Sequence, residues 1–299
     1  MDFSLTEEQE MLRDTAQTLL TKECPPSLVR AHMDDPAVAD DLWQRHLREW
    51  AVLGDGPLVD HALFLEEAGR VVLPGPYFCT SVLFLPLVRA IGAPVADAVA
   101  EGTTTGTVSM AGRSGMWDVN DEPMHTFVLE ADRVDHVAFV LPGPSVGVVD
   151  ASSLRPQAIT TLDTTRRVFT VDVPQDIDVQ PIDPVVLAGV IERATVALAA
   201  EMVGVSRWLL DHSVAYAKER VQFGKPIGSF QGLQWKLVGM AQDHERAAAA
   251  VGYAAMAIDA DDSDRRRAVH VAKAAAGRAA RHSAQDGMQV HGGIGYTWE

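Results

Sequence analysis

Arg220-Val-Gln-Phe-Gly-Lys-Pro-Ile-Gly-Ser-Phe-Gln231 breaks an alanine-rich, otherwise helical stretch, and Gln289-Val-His-Gly-Gly-Ile-Gly-Tyr296 ends it. Gly224, Pro226 and Gly228 stop the helix before them, and Phe230 and Gln231 open the next. The break exposes Arg220, and Phe223 beside it can cover an apolar or planar group. Arg220 reads either as a helix C-terminal charge or salt bridge with Glu219, or as a phosphate clamp, since guanidinium matches phosphate oxygens in pairs. Gly292, Gly293 and Gly295 read either as a glycine C-cap or as bare backbone presenting N–H groups to an anion.

Working outward, the spacing predicts three long helices, Val185 to Lys218, Phe230 to Ala260 and Arg265 to Gln289. The polar turn Asp259 to Asp264 separates the last two. Long helices with short turns make an antiparallel bundle. Before them, Gln175 to Pro184 reads as a linker. From Thr103 to Pro174 short β-branched runs alternate with Gly, Pro and Asp: Thr126 to Leu129, Val137 to Leu141, Val146 to Val149 and Val168 to Val173. Strands so short and so spaced predict a small β-sandwich or barrel. The first hundred residues return to helical periodicity. Ser4 with Glu7 has capping-box spacing, and Met11, Leu12, Thr15, Ala16, Leu19 and Leu20 form an amphipathic stripe that Pro25-Pro26 ends. Shorter helices are predicted over Leu42 to Trp50, His61 to Val72, Ser81 to Ile91, where Pro86 must interrupt, and Val95 to Glu101. The fold class is therefore α+β: an N-terminal helical domain over 1–103, a small middle β domain with its linker over 104–184, and a C-terminal helical bundle over 185–299.

The composition bounds the function. The 299 residues carry 41 acidic and 25 basic side chains, a formal net charge of −16, which argues against nucleic acid as a partner. No apolar run approaches the ~20 residues of a membrane span, and the N-terminus lacks a secretory pattern. Two cysteines, Cys24 and Cys79, cannot form a disulfide framework, so a cytoplasmic location is expected. No His or Cys spacing matches a metal site.

Taken together, Arg220-x-x-Phe-Gly followed by Gln231, then Gln289-x-x-Gly-Gly-x-Gly, resemble the C-terminal helical domain of the acyl-CoA dehydrogenases. The helix, β, helix order, the opening Phe3 to Gln9 and the segment Glu66-Glu-Ala-Gly-Arg70 are similar to that family too. The resemblance implies FAD lying between subunits, with its adenosine and pyrophosphate half on a neighbour's C-terminal helices. The cofactor-binding residues it implies are Arg220, Gln222, Phe223, Gln231, Gln289, Gly292 and Gly293. It further implies an acyl-CoA substrate desaturated at Cα–Cβ and an electron acceptor such as an electron-transfer flavoprotein.

Three departures from the family pattern shape the expectation. The Thr-Glu-Pro and Gly-Ser-Asp cofactor loop is replaced by Thr107 to Trp117. The glutamate base is missing: the family's Tyr-Glu-Gly-Thr segment would follow Glu299, and the alternative position on the first C-terminal helix matches Ala194, with Glu192 two residues earlier, turned about 200° away, and Glu201 two turns later. The β domain is short and carries Asp163-Thr-Thr-Arg-Arg167. These features are similar to the abbreviated acyl-CoA dehydrogenases of actinobacterial steroid and lipid catabolism, some of which are α2β2 heterotetramers. The resemblance thus implies a subunit that completes the FAD site of a catalytic partner acting on a bulky, steroid-derived or fatty acyl-CoA. The alternatives are a self-sufficient homotetrameric dehydrogenase and a non-catalytic scaffold subunit without flavin. No catalytic residue is assigned in this chain.

Overall fold

Thr6, not Ser4, caps the first helix. In the computed structural model, which describes residues 3–297, Gln9 N donates to Thr6 Oγ1 over 3.2 Å and Thr6 N donates to Gln9 Oε1 over 3.1 Å. Both Ser4-x-x-Glu7 and Thr6-x-x-Gln9 fit the capping-box template. The later start of α1 (Glu7–Glu23) places Glu7, Glu8 and Glu10 in its first turn, where the helix dipole favours acids. Pro26 does more than end that helix. It occupies the first turn of α2 (Pro26–Asp34), where a missing N–H costs nothing. There follow α3 (Val38–Leu42), a π-helical turn at Trp43–Leu47 and a 3₁₀ segment at Arg48–Gly54. Next come α4 (Leu58–Val71), a fully buried π-helical segment at Phe78–Phe84, α5 (Leu85–Ala90) and α6 (Val95–Ala100). Pro86 sits in the first turn of α5, so the expected interruption is a change of helix type.

The β region contains β1 (Gly106–Ser109), β2 (Met124–Leu129), β3 (His136–Leu141), β4 (Ser145–Asp150), β5 (Gln157–Ala158), β6 (Val168–Asp172) and β7 (Gln180–Pro181). They form two sheets, β1-β3-β4-β7 and β2-β6-β5. β3 and β4 make a hairpin in register from His136↔Asp150 to Leu141↔Ser145, and β1 runs parallel to β3. A bulge between His125 and Val128 interrupts the pairing of β2 with β6, and Phe127 there has φ +55°. The rest is α7 (Pro184–Glu219), the two-strand ribbon β8 (Val221–Gln222) with β9 (Lys225–Pro226), α8 (Gln231–Asp259) and α9 (Arg265–His291), then a 3₁₀ turn at Gly292–Tyr296. No helix of the described residues is long and apolar enough to cross a membrane.

Two units pack separately. One gathers most of α1, Leu58–Leu73 and the chain from Thr195 onward. In it α4 and α7 meet backbone to backbone: a Cβ on Gly69 would overlap Glu201 O, and one on Gly204 would overlap Glu66 O. The other gathers Lys22–Pro57 and Pro74–Ala194. Its core joins Phe84, Leu85 and Val88 to Ala138, Val140 and Val146.

Candidate functional site

The helical unit forms a cleft of about 770 Å³ where α7 ends, α8 begins and α9 stops. The break read from sequence builds one wall. Arg220 N donates to Tyr216 O over 2.9 Å as the last helical bond, and Ile227 N donates to Arg220 O over 2.8 Å to close the ribbon. Phe223 and Gly224 form its two-residue turn with φ of +55° and +78°, the signs a type I′ turn requires. Glycine accepts that conformation freely, whereas phenylalanine is strained in it. At the tip of this turn the Phe223 ring stands almost entirely in solvent, 91% exposed, in an edge contact with Phe230 at 6.0 Å. Ala217, Ile227 and Val290 form the small core beneath.

The C-terminus of α9 builds the opposite wall. Gly292 has φ +64° and its N–H donates to the Met288 and Gln289 carbonyls, so it is a C-cap, one of its two readings. A Cβ at Gly232, Gly292 or Gly293 would meet nothing within 4 Å, so all three present bare backbone to open space. Of the residues the sequence singled out, Arg220, Gln222, Phe223, Gln289, Gly292 and Gly293 line this one cleft. Gln231 is the first residue of α8, between the lining residues Phe230 and Gly232. Sequence reading missed Tyr216, Lys236 and His291, which also line it. The available signal was helical spacing, since Lys236 lies four residues beyond Gly232, on the same face.

These groups suit a dinucleotide cofactor. Among the described residues no acidic side chain pairs with Arg220, leaving its fork for an anion. The N-terminus of α8, beside the lining residues Phe230 and Gly232, has no side-chain cap, which leaves its first N–H groups without a side-chain acceptor. The exposed Phe223 offers a ring face for a planar group.

The β-containing unit has two open clefts, of about 370 and 590 Å³, near Asp132 and Asp135, but little apolar room. Its apolar cavity holds about 30 Å³ and is lined by Leu87, Met110, Trp117, Phe127, Ile191 and Ala194 among others. A water needs about 10–15 Å³ of such space, so the cavity has room for two or three waters at most. Ala194 is buried, and neither Glu192 nor Glu201 lines the cavity. Cys24 and Cys79 are both buried, and burial pushes each thiol up to about 12, which removes them as nucleophiles. Among the described residues no cluster of His, Cys, Asp and Glu could hold a metal ion.

Residues 185–299 match the family described as acyl-CoA dehydrogenase, C-terminal domain. Over its whole length the chain is similar to acyl-CoA dehydrogenase IpdE2 of Mycobacterium tuberculosis, 32% identical over 98% of this chain and 88% of the relative. The chain belongs to the acyl-CoA dehydrogenase family. Two solved members share its fold. The ChsE4-ChsE5 complex from Mycobacterium tuberculosis superposes with a TM-score of 0.85 at 21% identity, over 99% of this chain and 90% of that one. The Tcur3481-Tcur3483 steroid acyl-CoA dehydrogenase, as its G363A variant, gives 0.84 at 25% identity, over 97% and 88%. Membership in the acyl-CoA dehydrogenase family accounts for the order of N-terminal helices, middle sheets and C-terminal bundle.

Proposed function

We propose that this chain is one subunit of a heteromeric, FAD-dependent acyl-CoA dehydrogenase, and that it completes a cofactor site shared with a catalytic partner subunit. The observation that carries this reading is a contrast within one chain. The helical cleft holds a free guanidinium, an exposed ring and bare glycine backbone, whereas the apolar cavity of the β-containing unit, the one with Ala194 in its wall, is only about 30 Å³.

Desaturation of a CoA thioester takes a proton from Cα and a hydride from Cβ. When bound, FAD supplies the acceptor for that hydride. In this reading Arg220 offsets the pyrophosphate charge and Phe223 covers a planar face. Gln222, Gln231 and Gln289 supply amide contacts, and Gly292 and Gly293 let the backbone approach. The partner provides the base, the ring pocket and the acyl site. The likeness to complexes of two different chains, one of them a steroid enzyme, supports α2β2 assembly and a bulky, steroid-derived acyl group. An electron-transfer flavoprotein is the natural acceptor from the reduced complex.

The test is to purify the chain alone and with the acyl-CoA dehydrogenase encoded nearest to it, then measure flavin absorbance per subunit and complex size. A mixed tetramer with fewer flavins than subunits is expected, with little flavin on the lone chain. A yellow homotetramer active alone would overturn the shared-site reading. A mixed tetramer whose flavin content is unchanged by Arg220→Ala would reduce this chain to a scaffold.

A further inference from the structure

The cleft contains a second cation that the sequence did not reveal. Lys236 lies in the second turn of α8 and lines the cleft with Arg220. No Asp or Glu is among the residues lining it. In a chain with 41 acidic side chains and a formal charge of −16, an acid-free cleft holding two cations is a selective feature. The Lys236 ammonium is held: Nζ donates to Asp286 Oδ1 over 2.5 Å. The other oxygen, Asp286 Oδ2, lies 3.0 Å from His282 Nε2, and His282 Nδ1 lies 2.7 Å from Asp243 Oδ2. Arg246 Nη1 is 3.6 Å from Asp243. This relay follows the seam between α8 and α9, with both aspartates recessed, and only its Lys236 end reaches the cleft.

We infer that Lys236 is a second phosphate-binding cation of the cleft and that Asp286 is its positioning residue. The inference rests on the cofactor reading above and extends it to residues that nothing else assigns. Three physical points support it. An ammonium has three donors; Asp286 takes one and leaves the others for the cleft. A lysine fixed by a recessed carboxylate has already given up rotamer freedom, so less is lost when an anion binds. Exposed ion pairs such as Arg45–Asp41 sit at 68% and 67% exposure and contribute little, whereas Asp286 is 14% exposed and uses both oxygens.

The experiment titrates the full chain, with any subunit that accompanies it, against ADP and FAD, using adenosine as the phosphate-free control. Lys236→Met is expected to weaken ADP and FAD by about tenfold, as for one charge-assisted hydrogen bond, and to leave adenosine unchanged. Lys236→Arg is expected to restore most of the loss. Asp286→Asn is expected to weaken ADP only while Lys236 is present, so that the double variant binds no worse than Lys236→Met. Unchanged ADP affinity in Lys236→Met, alongside clear loss in Arg220→Ala, would overturn this inference and leave the cofactor reading standing. If the unaltered protein binds neither ADP nor FAD, both fail together. If Lys236→Met loses adenosine equally, Lys236 merely holds the α8–α9 seam and the inference is wrong.

Discussion

His291 stacks on Tyr216 with ring centroids 4.4 Å apart and planes 22° from parallel, fastening the last turn of α7 to the last turn of α9. His291 Nδ1 lies 2.8 Å from Gly287 O. A carbonyl only accepts, so Nδ1 carries the hydrogen and the ring orientation is fixed. The contact holds the two walls of the cleft at one spacing. An aromatic pair contributes about 0.5–1.5 kcal/mol beyond its burial, and the hydrogen bond adds about 1 kcal/mol. His291→Ala is therefore expected to lower unfolding free energy by about 1–2 kcal/mol in a urea titration and to weaken FAD. His291→Phe keeps the stack and should recover part of the stability. An unchanged midpoint in His291→Ala would show that the walls are held by other contacts.

Phe223 trades stability for exposure. Its φ of +55° lies in the left-handed region, where a bulky side chain costs on the order of 1–2 kcal/mol. Asparagine is at ease there and Asn-Gly is the preferred type I′ pair. Phe223→Asn is expected to raise the melting temperature of the cofactor-free protein while reducing FAD affinity, since the exposed ring is lost. Calorimetry of the free protein beside a flavin titration separates the two effects. A variant that gains no stability, or binds FAD as before, contradicts this account of the strain.

Much of this site was legible because glycines and prolines punctuate it. Gly224, Pro226, Gly228 and Gly292 mark both helix breaks, and the two breaks do meet in space. Lys236 and Tyr216 stayed hidden because they lie within helices, where one polar or aromatic residue looks like any other until the facing helix is known; His291, inside the glycine-rich stretch itself, shows its role only once Tyr216 is found stacked against it. Pro26 read only as a stop, although a proline at a helix start is equally favourable. The strand β1 escaped notice because it has four residues and its parallel partner β3 lies beyond β2 in the chain. Pairing between non-neighbouring strands leaves no local mark on a sequence. Ser4 and Thr6 show the opposite limit, two overlapping local signals of which only the fold selects one.

Ala194 tests the proposed division of labour between subunits. It is buried in the wall of a cavity of about 30 Å³. A glutamate there must fit extra heavy atoms, which costs about 1–3 kcal/mol in a packed core, and must desolvate a carboxyl with no partner in view. Ala194→Glu is expected to destabilise the chain in chemical unfolding and to confer no acyl-CoA-dependent dye reduction on the chain alone. A stable Ala194→Glu variant that turns over by itself would show that only the base was missing.

Glu66 makes a prediction about pH. It lies on α4 where α7 presses close, and burial, reinforced by the charge of Glu67, pushes its carboxyl from 4.5 up to about 7, against the pull of Arg70, Arg13 and Arg207. Below about 4.5 the group is protonated in both folded and unfolded chains and costs nothing. Between about 4.5 and about 7 the unfolded chain has lost this proton while the folded one keeps it, so this group lowers stability as pH rises. Above about 7 the folded protein must hold a charged, poorly solvated carboxylate and the penalty is complete. Its size is on the order of 1–3 kcal/mol. Glu66→Gln keeps the shape and removes the titration. Urea midpoints measured from pH 4.5 to pH 8 are expected to fall less steeply for Glu66→Gln than for the unaltered chain. The variant should be the more stable of the two at the alkaline end. Parallel curves would mean that the charges of Arg70, Arg13 and Arg207 nearby outweigh burial and hold Glu66 ionised throughout.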